Sequence, residues 1–367
     1  MTSLTAFSLL IGIIITAFVS IVFAITPYFT PPYIQFGVRI PDGQESNILL
    51  KGTRLKFLVF DLAIMIVLIA IYIVYLNRIS PIISGIMPLF DIILSFLVYL
   101  KFHYHTLKLK SDMQPLQEQT EVSTAVIGED SLGVRHIALL LPWIELGLFI
   151  AIGIYRYPFI PNTFPIHFGA NGQPNGYATK SIESVFSVIL LVGVPVNVLF
   201  SGISLALLRV NPFQNPRSPV KTRMQMTGFN RINFYLMAAI ALVVNLTLFL
   251  SSAVIWGMLS NSYIYLAIIP VIAILPAIII IGMKVGQTGW KLYPNANSSE
   301  EGVAARNDDS FWKGGVLYFN SNESSIMVTK RFGYGYTLNF AHPITWILFA
   351  APLIVLLIIL TVAMHIL

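Results

Sequence analysis

Long apolar runs constrain this chain more than any other feature of its sequence. Each run has about 20 residues with few charges, enough for a helix to cross the roughly 30 Å hydrocarbon core of a bilayer. Of the 367 residues, 56% are hydrophobic and only 10% are charged. Because backbone amides in lipid must be hydrogen-bonded within their own segment, the runs predict helices. The predicted fold class is an all-α polytopic membrane protein with about eight transmembrane helices, at roughly 4–26, 57–76, 82–100, 137–154, 183–208, 233–258, 263–283 and 344–366.

The positions of the basic residues predict how these spans are oriented. Of the 22 Lys and Arg residues, 19 lie in the connections 27–56, 101–136, 209–232 and 284–343. By the positive-inside rule these four connections are cytoplasmic, and both termini are extracytoplasmic. The sequence therefore predicts a multi-pass protein of the cell membrane whose main partner is the lipid bilayer. The net charge of +6 is explained by these loops, and no recognition motif indicates nucleic-acid binding.

This topology divides the chain into five segments. They are a first four-helix half (1–154), a short extracytoplasmic loop domain (155–182), helices five to seven (183–283), a cytoplasmic loop (284–343) and a last helix (344–367). No Lys or Arg precedes the first span, so it lacks the basic region of a signal peptide and is expected to be retained. The two halves have the same order of spans and loops, which fits either an internal duplication or chance.

The cytoplasmic loop is predicted to end in a small β-rich module at 311–343. Its β-prone runs Val316–Phe319 and Ile326–Lys330, separated by Asn320–Ser325, predict a hairpin. We expect the module to bind a cytoplasmic partner, with exposed cations pairing with acidic groups. The residues proposed for this contact are Trp312, Lys313, Lys330 and Arg331. Residues 102–135, in contrast, are polar with mixed charge and predict a flexible connector.

The extracytoplasmic segment Tyr157–Ser181 is rich in Pro, Gly and Asn and carries the candidate ligand-binding residues. These are Pro161, Pro165, His167, Phe168, Asn171 and Lys180. In one interpretation His167 contacts a peptide ligand or titrates near neutral pH as a switch. In the other it is a loop residue that hydrogen-bonds the turn at 169–176. No metal site is expected, because the loop has no second histidine and no carboxylate before Glu183.

Part of the sequence resembles a known family of bacterial membrane proteins. The residues concerned are Ile160-Pro161, Ile166-His167-Phe168, Gly169, Asn171-Gly172, Pro174, Gly176 and Lys180-Ser181. Together they resemble the extracytoplasmic loop domain of the Sdp immunity protein family. Residues 36–41 (FGVRIP) and the module at 312–343 are similar to companion segments in a branch of that family whose function is unassigned.

This resemblance implies a function in sensing. The founding member of the family protects its bacterium from a secreted toxic peptide and, with toxin bound, holds a transcriptional repressor at the membrane. The present chain departs from that protein in its two additional loop modules and in lacking a counterpart of its second half. The resemblance implies an immunity-type sensor that recognises an extracellular peptide or envelope signal and relays it to a cytoplasmic regulator.

Polar side chains within the predicted spans indicate an alternative function. Asp91, Glu145, Asn197 and Asn245 lie near mid-span, where ionisable groups are costly and often functional. No Lys or Arg lies at a similar depth, so each acid is expected to be protonated or to share a proton or a cation. These residues fit a proton-coupled small-solute or peptide transporter, or else hydrogen bonds between helices. Asp61, one turn into its span, is predicted to reach the interface near Arg54 and Lys56.

The sequence carries no catalytic signature. With no cysteine, the chain has no disulfide, no thiolate nucleophile and no cysteine-ligated metal. It also lacks the His-Glu-x-x-His, Gly-x-Ser-x-Gly and phosphate-loop patterns. We therefore expect neither an enzyme nor a cofactor.

Overall fold

The computed structural model describes residues 3–41, 48–75, 81–113, 132–169, 173–209, 219–294 and 308–351, together with 354 and 357. The helices are α1 (Ser3–Phe29), α2 (Ile48–Val74), α3 (Pro81–Ser111), α4 (Leu132–Arg156), α5 (Ile182–Val188), α6 (Val194–Arg209), α7 (Pro219–Ile255) and α8 (Ile269–Val285). The strands are β1 (Ile34–Gln35), β2 (Val38–Arg39), β3 (Thr163–Phe168), β4 (Pro174–Thr179), β5 (Trp312–Lys313), β6 (Leu317–Tyr318), β7 (Met327–Thr329) and β8 (Tyr336–Leu338). A π-helical turn, Ile189–Gly193, joins α5 to α6.

Seven stretches among the described residues are long and apolar enough to cross a membrane. They are Leu9–Phe29, Leu49–Val74, Ile83–Ser111, His136–Phe159, Ile182–Leu208, Lys221–Ile255 and Asn261–Gly289. Large apolar side chains such as Ile66 and Ile144 point outwards, as a lipid-facing surface requires. The predicted helical fold with long apolar helices is therefore confirmed, and these helices suggest a multi-pass membrane protein. Of the predicted eighth span, residues 344–351 are helical, and most of the remainder lies outside the described residues.

Three helices extend well beyond their predicted spans. α2 begins at Ile48 instead of 57, α3 continues to Ser111 instead of ending at 100, and α7 begins at Pro219 instead of 233. The flexible connector predicted at 102–135 is thus wrong for residues 102–111. With 31 residues α3 is about 46 Å long, more than a bilayer core requires. Lys108 and Lys110 lie in its last turn, where their positive charges interact favourably with the negative end of the helix dipole.

The chain forms two compact units. One comprises Met1–Val126, Val210–Phe229 and Ile279–Trp346, and the other comprises Ile127–Arg209, Asn230–Ile278 and Ile347–Leu367. In the first unit, α1, α2 and α3 pack against one another. Beside them, β1 and β2 form a tight hairpin whose two turn residues, Phe36 and Gly37, both have positive φ. This is the two-residue geometry that suits the twist of antiparallel strands.

The C-terminal module consists of two small antiparallel hairpins in the first unit. β5 pairs with β6, β7 pairs with β8, and a bridge from Tyr318 to Asn339 links them. The predicted hairpin between 316–319 and 326–330 is therefore wrong, although β-hairpins in this region are confirmed. The local reason is Gly314–Gly315, whose φ values of 59° and 71° reverse the chain within two residues. Each β-prone run consequently pairs with a neighbour on its other side.

Gly315 lies at a close approach between the module, α3 and the β1–β2 turn. The hydroxyl of Tyr99 donates to the carbonyl oxygens of Gly314 at 3.0 Å and Phe36 at 3.3 Å. His103 Nδ1 lies 2.8 Å from the same Phe36 oxygen. A Cβ on Gly315 would lie 2.5 Å from the Tyr99 hydroxyl and 2.9 Å from His103 Nδ1. Only a residue without a side chain fits here.

We expect Gly315→Ala to destabilise the first unit by about 2–4 kcal/mol, combining the cost of positive φ with that of overpacking. The matched control is Gly335→Ala. Gly335 also has positive φ, but its added Cβ would meet no atom within 4 Å. Thermal unfolding of both variants in detergent separates the two costs. Equal destabilisation by both changes would contradict the proposed clash.

In the second unit, the β3–β4 hairpin is joined to the helices by a shared apolar core. Phe164 of β3 lies in one buried cluster with Leu146, Phe186 and Trp256. Ser181 begins α5 as its N-cap, with its hydroxyl accepting from the backbone amide of Ser184 at 3.0 Å. The hairpin is therefore an ordered continuation of the helical unit.

Candidate functional site

Side chains alternate between two faces of the β3–β4 hairpin. Thr163 and His167 on β3, with Asn175, Tyr177 and Thr179 on β4, are exposed. We call this the outer face. The opposite face carries Phe164, Ile166, Phe168 and Ala178, which pack against the core of the second unit. Alternation with a period of two is visible in the sequence of both strands and is the signal that would have identified Asn175 and Tyr177.

The inner face of the hairpin is held tightly. Phe164 is 1% exposed and Trp256 is fully buried. The indole Nε1 of Trp256 donates to the carbonyl oxygen of Val185 at 3.0 Å. A Cβ on Gly153 would lie 2.6 Å from the Phe186 ring, so α4 approaches this cluster too closely for any side chain at that position. The hairpin thus has one fixed face and one free face.

The predicted ligand residues are distributed over both faces and the base of the hairpin. Pro161 is exposed, and Pro165 lies opposite Tyr177. Phe168 belongs to the inner face, so it is not available on the outer face. Lys180 is at the base, where Nζ donates to the carbonyl oxygen of Ile160 at 2.9 Å and lies 4.7 Å from the Tyr157 ring centre. Asn171 lies outside the described residues.

His167 hydrogen-bonds across the hairpin while remaining exposed. Its Nδ1 contacts Oδ1 of Asn175 on the neighbouring strand. The strand register shifts on both sides of His167, an irregularity that redirects a side chain. The contact with Asn175 supports the interpretation of His167 as a residue that hydrogen-bonds within the loop. Its ring is also exposed, as binding of a ligand would require.

Two protein-family models match parts of the chain. A domain of unknown function, DUF1648, matches residues 146–192, and a family of unknown function, DUF5808, matches residues 324–346. Both are often found in membrane proteins. The first match contains the C-terminal part of α4, the β3–β4 hairpin and all of α5, and the second contains β7 and β8. No curated protein and no solved structure matches the chain.

Three of the predicted intramembrane polar residues come together in the second unit. Asn197 Nδ2 donates to Asn245 Oδ1 at 2.7 Å and to the carbonyl oxygen of Gly193, in the π-helical turn, at 2.8 Å. Asn245 Nδ2 in turn donates to the carbonyl oxygen of Pro142 at 2.8 Å. Glu145 lies beside Asn245, and its Oε2 is buried without a partner among the described residues. The asparagines form interhelical hydrogen bonds, and half-buried Glu145 lies beside them with one buried carboxylate oxygen.

The fourth intramembrane residue, Asp91, is paired with a second acid in the first unit. Asp91 accepts a hydrogen bond from the Ser20 hydroxyl at 2.9 Å, and Asp61 interacts with it electrostatically. Both acids are fully buried. The prediction that Asp61 reaches the interface near Arg54 and Lys56 is therefore wrong. Its position in α2 turns it towards α1 and α3, a direction that sequence depth alone does not reveal.

A buried ionic cluster joins the C-terminal module to the rest of the first unit. Arg331 pairs with both Asp308 and Asp309. Arg39 Nε lies 3.1 Å from Asp308 Oδ1, and Lys110 Nζ lies 2.6 Å from Asp309 Oδ2. Arg331 is 4% exposed, so the prediction that its cation is exposed for a partner is wrong. Acids within the same chain, which the sequence did not indicate as partners, neutralise it instead.

The other predicted partner-binding residues differ in environment. Lys313 is exposed, and its Nζ donates to the carbonyl oxygen of Ser310 at 3.2 Å. Lys330 is half-buried, and Trp312 is buried beneath the guanidinium of Arg331 at 5.2 Å from the ring centre. Among the described residues no group of three His, Cys, Asp or Glu side chains has an arrangement that could hold a metal ion.

The ionic cluster is expected to make the module sensitive to acid. Burial alone would raise the pKa of Asp308, but the charges of Arg331 and Arg39 outweigh it and hold the pKa below its ordinary value of 3.8. The pKa of Asp309 is lowered against the same effect of burial, by Arg331 and Lys110. A carboxylate with a lowered folded-state pKa stabilises the fold above its unfolded pKa and loses that contribution as the pH falls through the folded value.

We therefore expect the module to lose stability as the pH falls below about 4, because protonation of Asp308 and Asp309 removes their ion pairs. Hydrogen exchange of the module amides, corrected for the intrinsic effect of pH, measures this change. The double variant Asp308→Asn with Asp309→Asn serves as control, because it lacks both titrating groups. If this variant kept the full acid response of the unchanged chain, the cluster would not be its source.

Proposed function

We propose that this protein is an immunity-type membrane sensor, not an enzyme, which recognises an extracytoplasmic peptide or envelope signal and relays it to a cytoplasmic partner. The observation that carries the proposal is the two-faced β3–β4 hairpin. Its inner face is locked into the second unit, while its outer face presents His167, Asn175 and Tyr177. A rigid exposed surface with an aromatic residue and hydrogen-bonding groups is well suited to binding a peptide.

Two further observations support this function. The hairpin carries the residues that resemble the loop domain of the Sdp immunity protein family, and the DUF1648 match covers the same segment. The distribution of basic residues predicts that this segment is extracytoplasmic and that the C-terminal module is cytoplasmic. Under the proposal, signal and partner are bound on opposite sides of the membrane.

α7 is the element that we propose for the relay. It is one continuous helix of 37 residues. Ile255 at its C-terminal end belongs to the cluster that holds Phe164 in the second unit. Near its N-terminal end, in the first unit, the ring of Phe229 lies 5.0 Å from that of Tyr334 in the module. Under the proposal, ligand at the hairpin shifts α7, and this shift changes the surface that the module presents to its partner.

The orientation can be tested by cysteine labelling, since the chain contains no natural cysteine. Tyr177→Cys and Lys313→Cys place single thiols at exposed positions on the hairpin and the module. In intact cells a membrane-impermeant maleimide should label the first variant and not the second, and both should react after lysis. Labelling of Lys313→Cys alone in intact cells would overturn the proposed orientation.

Recognition can be tested by the survival of a sensitive bacterium that expresses the protein under a panel of secreted peptide toxins. We expect protection, and we expect Tyr177→Ala and His167→Ala to reduce it. The matched control is Tyr263→Ala, because Tyr263 is 52% exposed and Tyr177 is 57% exposed. Equal loss with Tyr263→Ala, or full protection without the hairpin side chains, would rule out recognition by the outer face.

The acid pair in the first unit favours a second candidate function, proton-coupled transport of a small solute or peptide. Asp61 and Asp91 are buried together, and no Lys or Arg acts electrostatically on either acid within the described residues. Two carboxylates in such a site cannot both remain charged at low cost, so one proton or monovalent cation is expected to be shared. Binding and release of that ion would be the coupling step.

Transport can be measured with the protein in liposomes that contain a pH-sensitive dye, under an imposed membrane potential. Solute-dependent proton flux that is lost in Asp91→Asn and Asp61→Asn, and kept in Tyr177→Ala, would establish this function. Asp112→Asn is the matched control, because it removes the same charge at an exposed position after α3. Absence of flux with a broad panel of solutes would exclude proton coupling and leave the sensor.

A further inference from the structure

A cavity in the first unit is a candidate ligand site that neither family match assigns. Its volume is about 130 Å³, which is room for a small polar group or a short side chain. The module forms one side of it, and the β1–β2 region forms another. Its lining includes Tyr33, Arg39, Trp312, Lys330 and Arg331. Trp312, Lys330 and Arg331 were predicted from the sequence to bind a partner, and all three line this cavity.

Lys330 is the cation in this cavity that is free to act on a ligand. Arg39 and Arg331 are both engaged by Asp308. The ammonium group of Lys330 has no hydrogen bond or ion pair within the described part of the chain. Burial lowers the pKa of Lys330, and no neighbouring acid raises it again. A partly buried ammonium group without a counter-ion is costly, and an anion beside it would remove that cost.

Trp312 supplies a second donor without an acceptor. Its side chain is 7% exposed, and among the described residues the indole Nε1 has no hydrogen-bond partner. Buried N–H groups are nearly always satisfied, so this indole N–H calls for an acceptor. Lys330 and Trp312, which both line the cavity, thus each have a donor without an acceptor among the described residues.

The acids that line the same cavity are already engaged. Asp308 is neutralised by Arg39 and Arg331. Glu323 Oε2 accepts a hydrogen bond from the Tyr318 hydroxyl at 2.6 Å. With the charges of Arg39, Lys330 and Arg331 set against those of Asp308 and Glu323, the lining carries one net positive charge.

We propose that this cavity binds a carboxylate, with the Lys330 ammonium and the Trp312 indole N–H as its donors. A carboxylate suits the site better than a phosphate, because a single cation balances one negative charge and the neighbouring Asp308 and Glu323 would repel a second. The carboxylate can come from an Asp or Glu side chain of a protein partner or from a small free carboxylic acid. Only the first source rests on the relay proposed above; the site itself does not.

The test is direct binding to the purified full chain, measured by titration calorimetry. The probes are acetate and succinate, an acidic peptide containing Glu, and the same peptide with Gln in its place. Binding of the Glu peptide but not the Gln peptide, stronger than that of the free acids, identifies a protein partner as the source. Stronger binding of acetate or succinate identifies a small acid.

The variants separate the site from non-specific attraction to the basic surface. Lys330→Met is expected to weaken binding about tenfold or more, as loss of a charge-assisted hydrogen bond does, whereas Lys330→Arg keeps the charge and should retain most of the affinity. Trp312→Phe keeps an aromatic ring at this position and removes the indole N–H donor, so it should weaken binding several-fold. The control Lys313→Met removes an exposed charge from the same module and should leave affinity unchanged.

The proposal is overturned if no carboxylate binds, or if Lys330→Met and Lys313→Met weaken binding equally. A thermal midpoint for Lys330→Met close to that of the unchanged chain verifies that the variant is folded. Loss of toxin protection in the survival assay has no bearing on this measurement, so failure of the sensor and failure of the site can be distinguished.

Discussion

Replacing Arg331 by methionine is expected to destabilise the C-terminal module by about 3–5 kcal/mol, because it leaves two carboxylates partly buried without their shared cation. The side chains of Asp308 and Asp309 are only 12% and 16% exposed, so water compensates little for the loss. The change also removes the hydrogen bond from Arg331 Nη1 to the carbonyl oxygen of Gly37 at 3.1 Å. Limited proteolysis of the module and its unfolding midpoint measure the effect.

Two variants control the Arg331 experiment. Lys313→Met removes a charge from an exposed position in the same module and should change stability by less than about 0.5 kcal/mol. The triple change of Arg331→Met with Asp308→Asn and Asp309→Asn should recover part of the loss, since the uncompensated charges are then absent. A loss below about 1 kcal/mol for Arg331→Met alone would show that the cluster does not hold the module in place.

Truncating Phe164 to alanine is expected to cost about 3–5 kcal/mol and to release the β3–β4 hairpin from the helices of the second unit. Phe164 is 1% exposed and lies in the cluster that contains Trp256 and Phe186. Its removal leaves a cavity that rigid helices cannot close, so the transfer and cavity costs both apply. Hydrogen exchange at residues 163–168 and 174–179, beside thermal unfolding of the whole chain, measures the effect.

Tyr177→Ala is the matched comparison for Phe164→Ala, because it truncates an aromatic residue on the opposite face of the same hairpin. Tyr177 is 57% exposed, so its loss should change stability by less than about 0.5 kcal/mol. The two variants separate stability from recognition. If the sensor proposal holds, Phe164→Ala and Tyr177→Ala both reduce protection, and only the first lowers the unfolding midpoint. Equal destabilisation would mean that the hairpin does not have one fixed and one free face.

The sequence by itself determined the helical membrane architecture. Apolar runs long enough to span a bilayer leave the backbone no alternative to helix, so the positions of the first seven spans follow from length and composition. The short hairpins at 34–39 and 163–179 were not predicted, although the glycines and the alternation that shape them act over only a few residues. Helix ends were less well predicted: the extension of α3 to Ser111 is stabilised by contacts such as Lys110 with Asp309, far away in the sequence.

Only the tertiary structure decided which polar residues meet. Arg331 was predicted to be an exposed cation, yet it is buried and donates to the carbonyl oxygen of Gly37, which is 294 positions away. Asp61 looked interfacial from its depth in a span, yet it lies with Asp91 on a different helix. The direction of a side chain around a helix, and the choice of one charged partner among many, depend on how distant segments pack, and local sequence contains no record of that.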